Sequence, residues 1–198
     1  AGAVIDVLRE LDVLIAQLGE TPVAELRSGG LGVREVKRLA KTTGIEESRL
    51  GLLLEVAAGA RLIAADHPEP AELDAYDWAE VDGPYWAPTV AADRFAEQPA
   101  AERWQLLATT WLDLPCRPGL VGKRGPDGKP YAALTNALYS SAAPLDRRLL
   151  LTVLAELPPG GTMDTATASA AMLWRRPRWT ARLQPEPTDE LLTEAHAL

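Results

Sequence analysis

Gly44 divides two runs of helical periodicity, and that break constrains the fold of this chain more than any other feature. Before it, Val33, Val36, Leu39 and Ala40 recur at the spacing of one helix face. After it, Ile45, Glu46 and Glu47 open a second run whose apolar positions are Leu50, Leu53, Leu54 and Ala57. Glycine takes the left-handed backbone that closes a helix, so the pattern predicts two short helices joined by a tight turn.

The flanking segments extend that unit. Val4, Leu8, Leu11, Ile15 and Leu18 predict an amphipathic helix that stops at Gly19. Thr21 and Pro22 break it, Val23 to Leu26 reads as a short strand, and Ser28, Gly29 and Gly30 read as a flexible turn. Arg61 to Ala65 and Tyr85 to Thr89 each read as strands, joined by an acidic segment that contains proline. The resulting order is helix, strand, helix, helix, strand, strand, which is that of a winged helix. The sequence therefore predicts a mainly α fold. A winged helix-turn-helix module with a small antiparallel β-sheet and an acidic wing loop occupies residues 1–89, and a second helical module, for which a degenerate winged helix is one reading, occupies residues 90–198.

In the second module Val90 to Glu97 and Ala100 to Leu114 read as helices, and the stripe of Trp104, Leu107, Trp111 and Leu114 reads as core packing. A Pro- and Gly-rich loop follows. Pro144 to Leu157, Asp164 to Trp174 and Thr188 to Ala197 complete the helical pattern.

Charge narrows the function classes. The formal net charge of -8 argues against coating nucleic acid with the whole surface, because such binding rests on neutralising phosphates with Lys and Arg. The distribution is uneven: Asp66 to Asp82 holds seven acids and no Lys or Arg, whereas Trp174 to Arg182 holds four arginines and no acid. Any nucleic-acid contact is therefore expected to be local. No stretch has the length and apolarity of a spanning helix, the opening segment lacks the pattern of a signal peptide, and Cys116 is the sole cysteine, so a soluble, cytoplasmic protein is expected.

Motifs for catalysis are missing. Gly29, Gly30 and Gly32 satisfy neither a dinucleotide fingerprint nor a P-loop, and the two Gly-Lys pairs are followed by Arg124 and Pro130 instead of Ser or Thr. His67 and His196 stand far apart without metal-ligand spacing, and Cys116 has no histidine nearby in sequence to activate it. The sequence predicts no enzyme, no cofactor and no metal within this chain.

Recognition remains. In a helix-turn-helix the helix after Gly44 enters the major groove, presenting Glu46, Glu47, Ser48 and Arg49 first and Gly51, Glu55 and Ala58 further along. Two glutamates beside one arginine repel phosphate, so sequence-specific reading by this face is not expected. Arg34, Lys37, Arg38 and Lys41 on the preceding helix, together with Arg49, are candidates for phosphate contacts, or form a solvated face. A second candidate is Arg175, Arg176 and Arg178 within WRRPRW, where guanidinium groups pair with phosphate and tryptophan stacks on a base or on arginine. The competing reading has Trp174 anchored in the core and the arginines paired with Glu186, Asp189, Glu190 or Glu194.

The stretches LRSGGLGVREVKRLAKTTGI, RLIAAD, YWAPT, PAAERWQLLATTWL, PGLVG, PLDRRLLLTVLAELPPGG and LWRRPRW give the chain, from about Val23 to Trp179, a resemblance to an actinobacterial family described as helicase-associated or XPB/Ssl2-helicase-like. The resemblance implies a link to DNA transactions, with this chain as a middle, winged-helix portion that lacks ATPase motifs. The expected function is a non-catalytic DNA-associated module that touches the phosphate backbone without reading bases. The alternative is a protein-interaction scaffold that uses the winged helix and the acidic loop toward a neighbouring domain or a partner, with no membrane involved.

Overall fold

A computed structural model describes residues 2–67 and 83–198. The apolar stripe of the first segment winds into α1 (Gly2–Glu20), which buries Val7, Leu8, Leu11, Leu14 and Leu18. The strand expected to reach Leu26 is shorter, β1 (Val23–Ala24), because Leu26 turns away to exchange hydrogen bonds with Gly29 and Gly30 at 2.8 and 2.9 Å. Next comes α2 (Val33–Thr43). Gly44 ends it with φ 73° and returns its N–H to the Ala40 carbonyl at 2.9 Å. Helix α3 (Glu47–Gly59) starts on the Glu46 carboxylate, which accepts from the Ser48 and Arg49 amides at 3.0 and 3.1 Å.

Arg61, at φ 59°, turns the chain out of α3, so β2 (Ile63–Asp66) begins two residues later than the pattern suggests. With β3 (Tyr85–Pro88) it completes an antiparallel sheet in the order β1-β3-β2, with Val23 opposite Trp86 and Ile63 opposite Pro88. The acidic wing expected between these strands lies, from residue 68 to 82, outside the described residues. Helices α4 (Val90–Ala96), α5 (Ala100–Asp113), α6 (Ala143–Ala155), α7 (Thr165–Arg175) and α8 (Pro185–Ala197) follow. The described chain is thus mainly helical with one small sheet.

A single apolar core runs across the division expected after Thr89. Leu107, Trp111, Leu114, Ala133 and Leu138 are buried in the same cluster as the leucines of α1, α2 and α3. Helix α3 lies at its centre and is buried without a break from Leu50 through Ala57. Two glycines make the close approach possible. A Cβ on Gly51 would stand 2.9 Å from Cβ of Val121, and one on Gly30, whose φ is 79°, would stand 2.3 Å from the Ala133 carbonyl oxygen. The turn read as flexible is therefore a docking point: its neighbour Leu31 donates to that same carbonyl at 2.8 Å. A smaller cluster of Leu149, Leu150, Val153, Ala168, Met172, Leu183 and Leu191 joins α6, α7 and α8.

Arg147 of α6, fully buried, stands between the two clusters. Its Nη1 donates to the Leu114 carbonyl at 2.5 Å and its Nη2 to the Cys116 carbonyl at 2.8 Å, while Nε and Nη2 both reach Glu194 of α8 at 3.1 Å. Trp111 donates to the same carboxylate at 2.8 Å and lies 5.3 Å beneath the guanidinium. Removing one partner of such a pair strands the other charge, so Arg147→Met is expected to cost about 3–5 kcal/mol in urea denaturation, with Arg147→Met/Glu194→Leu recovering most of the loss. Gly30→Ala, forced into left-handed backbone against a carbonyl, is expected to cost on the order of 2 kcal/mol by the same measurement.

Candidate nucleic-acid interface

The residues singled out in the sequence fall into three places. On α2, Arg34, Lys37 and Lys41 are exposed, whereas Arg38 is held by Glu35 at 2.8 Å. At the start of α3, Arg49 is ion-paired with Glu10 of α1. It also lines a groove of about 760 Å³ between α3, α7 and α8, together with Glu46, Asp164 and Asp189. The Ser48 hydroxyl donates to Glu46 and, with the Ser48 and Arg49 amides, holds that carboxyl below its ordinary range against the opposing effect of burial. Asp164 is likewise lowered, by hydrogen bonds from Thr167 to its capping carboxylate. With Glu190 and Glu194 also on its wall, against Arg49 and Lys123, the groove is net acidic and a poor seat for phosphate.

The outward face expected on α3 is a correction. Gly51 and Glu55 point into the protein and are buried. Glu55 accepts from the Leu134 amide at 2.5 Å and from the Cys116 thiol at 3.4 Å, and so fixes Leu134 in left-handed backbone at φ 59°. Cys116, Val121 and Leu134 of the chain itself cover the side of α3 that carries Gly51 and Glu55, while Glu46, Glu47 and Ser48 stay exposed. Burial raises the Glu55 pKa, and it raises the Cys116 thiol as well, with the Glu55 charge adding to it. A buried thiol pushed upward is no nucleophile.

The third place is the end of α7, and here the local packing reverses an expectation. Trp174 is 87% exposed instead of anchored in the core. Trp179, in a 3-10 turn at Pro177–Trp179, is the anchored ring: it packs on the smaller core with the guanidinium carbons of Arg182 and Arg176 at 4.2 and 5.6 Å from its centroid. The arginines do not pair with the acids downstream. Arg175 pairs with Glu156 and Arg182 with Asp146, the latter through two hydrogen bonds of 2.9 and 3.1 Å. Arg176 and Arg178 are exposed and, among the described residues, pair with no carboxylate. Beside them lies a cleft of about 380 Å³ lined by Leu145, Arg148, Leu149, Thr152, Arg175, Arg176 and Trp179.

No family model, curated protein or solved structure matches the chain.

Among the described residues no group of three His, Cys, Asp or Glu side chains could hold a metal ion, and no helix is long and apolar enough to cross a membrane. The exposure of Trp174 does have a signal in the sequence. Ala168 and Met172 mark the buried stripe of α7, and a residue two positions past Met172 sits about 200° around the helix, on the opposite side. The ion pairs to Glu156 and Asp146 have none, because they join positions 19 and 36 residues apart.

Because burial raises the folded-state pKa of Glu55 above its unfolded value, the protonated carboxyl is favoured in the native chain. Its contribution to stability is full below the unfolded pKa and is lost as pH rises through the raised value. Glu55→Gln is expected to flatten that loss relative to the parent chain in urea midpoints taken from acid to neutral pH. Glu55→Ala, which leaves the Leu134 amide buried without an acceptor, is expected to cost on the order of 2 kcal/mol.

Proposed function

We propose that this chain is a non-catalytic, DNA-associated module of a cytoplasmic, helicase-associated protein of the actinobacterial kind its sequence resembles. It contacts the phosphate backbone through the face at the end of α7. The observation that carries the reading is the state of Arg176 and Arg178. On a chain of net charge -8, these two exposed guanidinium groups have no carboxylate partner among the described residues. A guanidinium free of an internal ion pair is available to a phosphate without first breaking one.

Arg34, Lys37 and Lys41 supply a second, weaker contact from α2. Arg38, Arg49 and Arg175 contribute less, because Glu35, Glu10 and Glu156 already neutralise them. The element order and the antiparallel order β1-β3-β2 favour a winged-helix reading of residues 1–89, with the third helix turned inward. Binding in this reading is indifferent to base sequence.

A protein-interaction scaffold is the second reading. The carboxylate-rimmed groove between α3, α7 and α8 favours it, since that rim suits a basic segment of a partner.

Fluorescence anisotropy of labelled DNA, titrated at several salt concentrations, tests the first reading. Affinity is expected to fall linearly on a log-log plot, and Arg176→Ala/Arg178→Ala to reduce the slope by about 2, roughly one for each phosphate no longer neutralised. Absence of binding to any DNA form at low salt would leave the scaffold reading in its place.

A further inference from the structure

The face at the end of α7 carries more than charge. Among the described tryptophans, Trp111 is buried, Trp86 packs on the larger core, Trp104 donates to the Leu198 carbonyl at 2.7 Å, and Trp179 is held against the smaller core between two arginines. Trp174 stands furthest into water, 87% exposed against 38% for Trp104, one residue before the end of α7 and two before Arg176. An indole kept in solvent beside unpaired guanidinium groups offers a flat apolar surface where a charged ligand arrives.

Resting on the phosphate-contact reading above, we propose that the ligand of this face is single-stranded DNA, with Trp174 stacking on an unpaired base while Arg176 and Arg178 hold the adjoining phosphates. A duplex shows its phosphates outward but hides the faces of its bases within the stack, so it can use the arginines and not the indole. A single strand can use both, because every unpaired base presents a π-face. The neighbouring cleft of about 380 Å³ has room for a further base between Leu145 and Trp179, whose ring the Arg176 and Arg182 guanidiniums hold in place. An anionic membrane suits this face less well. Interfacial helices immerse a broad apolar face, whereas the line of α7 that carries Trp174 otherwise presents Ala166 and Ala170.

The test titrates a fluorescein-labelled oligo(dT) of about 12 nucleotides and a duplex of equal length with the full chain, its Trp174→Ala and Trp174→Phe variants, and Arg176→Ala/Arg178→Ala. Because Trp174 is exposed, its variants are expected to keep the parent's circular dichroism. The expected result is that oligo(dT) binds more tightly than duplex and quenches tryptophan emission. Trp174→Ala should weaken oligo(dT) roughly ten-fold while leaving duplex affinity unchanged, and Trp174→Phe should restore most of the loss. Equal affinity for the two DNA forms, or oligo(dT) binding indifferent to Trp174→Ala, would overturn the single-strand proposal while the phosphate-contact reading stands. Failure of both DNA forms to bind the folded parent chain would remove both. Trp174-dependent binding to phosphatidylserine vesicles without binding to oligo(dT) would overturn the proposal in favour of a lipid surface.

Discussion

The buried pair of Arg147 and Glu194 is the interaction on which the arrangement of the second half depends. Taking two charges out of water is costly, and the cost is offset only when the remaining donors and lone pairs are satisfied. Here most are. Four of the five guanidinium hydrogens go to two backbone carbonyls and the carboxylate, and Glu194 also accepts from the Trp111 indole and, at 3.4 Å, from the Gly119 amide. Four pieces of chain meet there: α5, the segment after it, α6 and α8. Helix α7 packs on α6 and α8 through Ala168 and Met172, which leaves Trp174 on its outer side.

A second constraint turns α3 inward. Glu190 bridges Arg117 and Lys123 at 2.5 and 2.8 Å, tying the loop over α3 to α8, while Glu55 holds Leu134 from below. The loop therefore closes over the side of α3 that carries Gly51 and Glu55.

Much of this was legible in the sequence, and the division between what was and was not has a physical basis. Periodicity located α1, α2, α3, α5 and α6 to within a few residues, and Gly44 fixed the turn between α2 and α3, because these depend on neighbours three or four positions away. The run LGLLLEVAAG also carried its message: a helix apolar on nearly every side is buried on nearly every side, and Gly51 and Glu55 on it were never free to face outward. Arg147, set between Asp146 and Arg148, has no such local mark. Its partner lies 47 residues away, and no spacing rule links the two. For the candidate site, the cluster of arginines was visible, but which of them stand free depended on Glu156 and Asp146, which tertiary packing alone brings near.

The burial of α3 on every side has a consequence for how the chain can change. An ordinary surface helix has a packed face that resists substitution and a wet face that accepts nearly anything. From Leu50 to Ala57, α3 has no wet face, so volume, polarity and backbone freedom are all fixed there by contacts with other elements. Variation is left to α2 next door, where Arg34, Lys37 and Lys41 reach into solvent. Any change between Leu50 and Ala57 must therefore be absorbed by a neighbouring element, since none of those positions opens onto water.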